Sequence, residues 1–194
     1  MNLPVHLIDS LRARYAEPHR HYHTQQHIDA LLAELRITPV PVHDRTVVEA
    51  AIWFHDAIYD TRQQNNEALS AELAASALRD AGWQPEPIAR VVTLIRATAD
   101  HTVAAQEADA DLFLDLDLSI LGADVPTYDA YANGVRGEFA WVSDADYRAG
   151  RSRVLTRFLK QPRLYRTAYY AGQLDILACD NLQRELARLR DAPI

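Results

Sequence analysis

Cysteine is nearly absent from this chain: Cys179 is alone among 194 residues, which excludes an intramolecular disulfide and fits a reducing compartment. Long apolar runs are missing too. Nothing approaches membrane-spanning length, and the opening Met1-Asn-Leu-Pro-Val-His lacks the charged and then apolar regions of a secretory signal. A cytoplasmic protein without membrane contact is therefore expected. The chain also has no Gly/Ser-rich or low-complexity stretch and no repeat at solenoid periods, so a single domain over residues 1–194 is predicted, with 48% apolar content to close its core. The proline clusters at 39–41 and 85–87 read as short turns between helices. A formal charge of −7 with no basic cluster argues against general nucleic-acid binding, which needs a Lys/Arg face to displace counterions. Any phosphate has to be met locally. A homo-oligomer is compatible with all of these features.

Alternating strand patterns are nearly absent as well, while spacing near 3.6 recurs along the chain. It predicts helices over Val5 to Arg14, Tyr22 to Leu35, Asp44 to Ile58, Asn66 to Asp80 and Pro87 to Thr98. Others are predicted around Asp111 to Leu121 and over Tyr128 to Val142, Asp146 to Leu159 and Gln173 to Arg190. The fold class is all-α, a single-domain helical bundle. Asn65 is read as a cap opening one helix, and Gly82 and Gly122 as closing two others. The stretch Asp111-Leu-Phe-Leu-Asp115-Leu-Asp117-Leu alternates enough to suit a short strand, but a helix is preferred.

What the chain does have is His55-Asp56 set in the apolar stretch Ala50-Ala51-Ile52-Trp53-Phe54. With eight histidines and eighteen aspartates, about one such pair is expected by chance, and a second does occur, His43-Asp44. Context separates them: Asp44 reads as a helix N-cap before Arg45-Thr46-Val47. Val48, Ile52, His55 and Tyr59 instead share one helical stripe, which turns an imidazole toward the core with Asp56 beside it. A carboxylate so placed needs a partner or a cation. His27, His55, Asp56 and Asp117 together offer two imidazoles and two carboxylates, a set suited to one divalent metal with positions left for water. His23 and His27, four apart on a predicted helix, either share a metal or divide binding from proton handling.

These elements resemble the HD-domain metallohydrolases. Tyr22-His23-x-x-x-His27, His55-Asp56 and Asp117-Leu118-Ser119 occur in the order found there, and the first is similar to the Tyr-His-x-x-x-His signature of cyclic-nucleotide phosphodiesterases. Those enzymes have Asn where this chain has Thr24, and they are much longer. The closer likeness is to a compact HD phosphohydrolase family, carried by Tyr-x-Glu-Pro-x-Arg-x-Tyr-His-x-x-x-His (Tyr15 to His27) and Trp-Phe-His-Asp-x-x-Tyr-Asp (Trp53 to Asp60). Asn-Glu-x-x-Ser (Asn66 to Ser70), Ala-Thr-x-x-His (Ala97 to His101), Asp-x-Asp-Leu-Ser-Ile-Leu-Gly (Asp115 to Gly122) and Val-Arg-x-Glu-Phe-x-Trp (Val135 to Trp141) extend it over most of the chain.

The resemblance implies His27, His55, Asp56 and Asp117 as metal ligands and His23 as the acid that protonates the leaving oxygen. Asp115 competes with Asp117, but two residues apart on a helix they diverge by about 200°, and the Asp-Leu-Ser match selects Asp117. Asp60 is a candidate for orienting water, against a role in ending its helix. Glu67 is a candidate base or second-metal bridge, against a first-turn carboxylate complementing the helix dipole. His101 is the candidate ligand for a second metal, and Arg20 and Arg136 are candidate phosphate clamps, against the solvated surface common for arginine. The expected cofactor is a divalent ion among Mn, Fe, Co, Ni, Zn and Mg, one or two per chain. The expected activity is hydrolysis of a small phosphorylated molecule, a nucleotide being the first choice. A di-iron oxygenase of the same fold and a non-catalytic ligand-sensing module are the alternatives.

Overall fold

The computed structural model describes residues 3–101 and 109–191. Its elements are α1 (Val5–Tyr15), α2 (Gln25–Ile37), α3 (Arg45–Phe54), α4 (Asn66–Asp80), α5 (Pro85–Ala97), α6 (Ala110–Leu118), a 3-10 turn (Ser119–Gly122), α7 (Val125–Glu138), α8 (Asp144–Leu159) and α9 (Ala168–Asp191). The described residues contain no strand, and the protein is all-α. The stretch around Asp115 is helical, as preferred. By backbone proximity the chain divides into two compact units, Met1–Leu116 and Asp117–Ile194.

In the first unit α3 is the central element. Asp44 caps it by accepting from the backbone N–H groups of Thr46 and Val47 at 3.1 and 3.2 Å, an arrangement worth about 1 kcal/mol. Val47, Val48, Ala50, Ala51, Ile52, Trp53 and Phe54 are all buried, so the helix has no solvent stripe. A helix apolar all round belongs in a core, and α5 packs along it. Asp109, just before α6, accepts from the backbone N–H groups of His43 and Asp44 at 2.7 and 2.9 Å and pairs with Arg90. That carboxylate ties the start of α6 to the start of α3.

Several boundaries differ from the sequence reading. Helix α2 starts at Gln25, not Tyr22, because Thr24 is extended (φ −108°) and its hydroxyl accepts from the N–H of Gln26. Asn and Thr both serve at such a cap, which gives Thr24 a local reason. Helix α3 ends at Phe54 rather than Ile58, so Val48, Ile52 and His55 are buried as expected while Tyr59 falls beyond the helix. Pro85 and Pro87 form no turn between helices; they occupy the first turn of α5, where a missing N–H costs nothing. Asn65 precedes α4 without a side-chain cap bond. Gly82 does close α4, at φ 79°. Gly122 has a different reason: a Cβ there would come within 2.7 Å of Cβ of Leu174, so it permits close approach of the 3-10 turn to α9.

The second unit is built on α9, against which α8 and the 3-10 turn pack. At its centre Arg151 meets Glu185 with two bonds, Nε to Oε1 at 2.8 Å and Nη2 to Oε2 at 3.0 Å. Tyr128 donates to the same carboxylate at 2.6 Å, and the Arg151 guanidinium also donates to the Tyr131 hydroxyl at 3.1 Å and lies over that ring. Burial, followed by the Glu185 charge, pushes the Tyr128 hydroxyl far above its ordinary range, so it remains a donor at any working pH.

Candidate metal centre

Helix α3 ends inside the protein, where its last carbonyls have no helical partner. The segment that follows, His55 to Asp60, is held by supplying those partners from elsewhere. The Trp53 carbonyl accepts from the Tyr15 hydroxyl at 3.0 Å. Those of Asp56 and Ala57 accept from Arg20 at 2.7 and 3.2 Å. Ser70 both donates to the Ile58 carbonyl and accepts from the Ile58 N–H. The Tyr59 carbonyl accepts from Nε2 of His19 at 2.8 Å, and Asn66 pairs through its amide with both backbone groups of Asp60. Tyr15, Arg20, Asn66 and Ser70 all lie within the motifs quoted above, and each works on the backbone of this one loop. Their clamping roles were not legible in the sequence, because the backbone groups they meet are distant along the chain.

The loop presents His55 in a defined tautomer. Its Nδ1 lies 2.9 Å from the Ile52 carbonyl, which can only accept, so Nδ1 carries the proton and Nε2 presents its lone pair. That nitrogen is 3.2 Å from Nε2 of His27 and 3.1 Å from Oδ2 of Asp56. A carboxylate oxygen and an imine nitrogen repel at that distance unless a proton or a cation lies between them. Nε2 of His27 is 3.8 Å from the same Asp56 oxygen. Ligands on bonds of ~2.1 Å stand ~3.0 Å apart when adjacent in an octahedron and ~3.4 Å apart in a tetrahedron, so these separations suit atoms sharing one ion.

His27 takes its second contact at Nδ1, 3.1 Å from the Tyr22 hydroxyl; a ligating histidine typically has such a partner on its other nitrogen. Asp117 stands on the last turn of α6, one residue past the division between the units and on the same continuous helix as Phe113, whose ring meets His55 edge-on at 5.9 Å. His27, His55 and Asp117 each offer a ligand atom within 4.8 Å of one another. Two imidazoles and the Asp117 carboxylate are donors suited to a divalent cation, and Asp56 approaches the two imidazoles, so the residues fit the ion. The histidine side chains are sealed, at 3% and 1% exposure, while that of Asp56 is 16% exposed. Access is from the carboxylate side.

The other predicted site residues divide. His23 does not share a helical stripe with His27, since α2 begins after it; its ring stacks on Tyr59 at 4.3 Å and meets His27 edge-on at 6.0 Å. It stands beside the cluster without being part of it. Arg20 is no phosphate clamp: its side chain has no exposed surface, lies over Tyr15 and Tyr59, and donates to Glu17 and to the carbonyls of His23, Asp56 and Ala57. Four of its five N–H groups are spent on the fold. Asp60 does not end a helix, since α3 stops earlier; its carboxyl accepts from the Arg62 N–H and the Gln63 amide, and these hold it below its usual range. Glu67 lies in the first turn of α4, where a carboxylate suits the dipole. His101 adopts φ 55°. Neither it nor Glu67 belongs to the ligand cluster found among the described residues. Arg136, in the second unit, caps the end of α7 through the carbonyls of Phe139 and Val142 and pairs with Asp144.

No protein-family model, no curated protein and no solved structure matches the chain.

Proposed function

We propose that this protein is a metal-dependent phosphohydrolase acting on a small phosphorylated molecule, with nucleotides the first class to test. The observation that carries the reading is the convergence of Nε2 of His55, Nε2 of His27 and Oδ2 of Asp56 at 3.1 to 3.8 Å, with the His55 proton committed to the Ile52 carbonyl. A divalent ion held there with Asp117 would polarise a phosphoryl oxygen and acidify bound water. His23, off the ligand set but adjacent to it, is the residue to protonate the leaving oxygen. Asp117 would help remove the proton from the bound water, whereas both oxygens of Asp60 accept hydrogen bonds that hold its carboxyl below the usual range.

Elemental analysis of the purified protein, paired with a phosphatase and nucleotide-hydrolysis panel across several metals, tests the reading. His55→Ala should lose metal and turnover together, and His23→Ala should keep the metal while turnover falls about 10²- to 10⁴-fold. Normal hydrolysis by His23→Ala removes that residue from the chemistry. Two irons per chain with oxygen consumption and no hydrolysis would replace the reading by an oxygenase.

A further inference from the structure

The second unit contains an open cavity of about 300 Å³ lined by α7, α8 and α9, a size at the lower end of small-molecule sites. Each of the three helices contributes one arginine to its lining: Arg136, Arg148 and Arg188. Two carboxylates also line it, but neither leaves negative charge in control. Glu185 has both oxygens occupied, by Arg151 from behind and by Tyr128. The Asp144 side chain is 76% exposed, and its pairing with Arg136 holds its carboxyl below the usual range.

Two of the cationic groups, Arg136 and Arg188, are already oriented. Arg136 lies over the Tyr147 ring at 4.6 Å and is fixed by two carbonyls. Arg188 spends one N–H on Asp129 at 2.8 Å, which leaves most of its fork for another acceptor. Tyr147, with Arg136 over its ring, and the Asn133 amide also line the cavity.

We propose that this cavity is a binding site for a small phosphorylated molecule. A planar carboxylate is matched by one two-pronged arginine, whereas guanidinium groups arriving from three helices surround a tetrahedral anion. The site shares no residue with the metal ligands and does not depend on the phosphohydrolase reading.

Full-length protein treated with chelator, titrated with inorganic phosphate and followed by amide NMR, tests it. Shifts should centre on Asn133, Arg148 and Leu189. Arg148→Gln and Arg188→Gln should each weaken phosphate binding about tenfold or more. Arg153→Gln, on the opposite side of α8, should bind as the parent does and serves as the control for folding and overall charge. Acetate should bind at least tenfold more weakly. Shifts centred on Arg153, Arg157 and Lys160, unchanged affinity in the two cavity variants, or acetate binding as tight as phosphate would each overturn the proposal.

Discussion

Both units bury charged and polar side chains, and they do so to opposite ends. In the second unit the Arg151–Glu185 pair closes on itself, with both carboxylate oxygens met by Arg151 and Tyr128. In the first, a ring of side chains holds the His55 to Asp60 loop, which brings two Nε2 nitrogens and a carboxylate oxygen from separate parts of the chain within 3.8 Å of one another. A buried polar group that is fully matched reads as architecture. Nitrogen and oxygen ligand atoms gathered at a point read as a seat for a cation.

The largest effect that separates the two is expected at Arg151. Arg151→Met leaves Glu185 buried without its partner and should cost about 3–5 kcal/mol in urea unfolding, while Arg151→Met combined with Glu185→Leu should recover most of it. Failure of the double variant to recover would mean that the pair does more than satisfy itself.

Asp56 should behave in the reverse way. In chelator, Asp56→Ala removes an oxygen that stands 3.1 and 3.8 Å from the two imidazole nitrogens, and it should leave stability unchanged or raise it by about 1 kcal/mol, as substitution at a functional site can. A loss of several kcal/mol would make Asp56 a structural partner, and the contrast between the units would vanish.

The smallest effect is expected at the rim of the second unit, where the Asp129 carboxylate accepts from Arg188 and Arg184 at 2.8 and 3.0 Å and is held below its usual range, first by the Arg188 bond. A lowered value adds stability above the unfolded value of about 3.9 and loses it as pH falls through the folded one. Asp129→Asn should therefore cost under about 1 kcal/mol at pH 6, and thermal melts of variant and parent should converge as pH drops below about 4. A gap that persists in acid would point to packing instead of charge.

Read along the chain, apolar spacing determined the all-α class and most helix positions, because a helix that buries one face must repeat its apolar residues near 3.6. The Asp44 cap and the choice of helix around Asp115 were equally local, as was the turn at Gly82. The pairing of His27 with His55 also came from residue type and order. The start of α2 was local too, set by Thr24 accepting from the N–H of Gln26 two residues on. Tertiary structure, by contrast, decided how the end of α3 is held, since Tyr15, Arg20 and Ser70 reach carbonyls far away in sequence. It also turned Arg20 from a candidate clamp into a support, and it fixed the proton of His55 on the nitrogen that faces Ile52. A side chain's type is local information, but the atoms left to spend after the fold has taken its share are set by neighbours that the chain brings together only when folded.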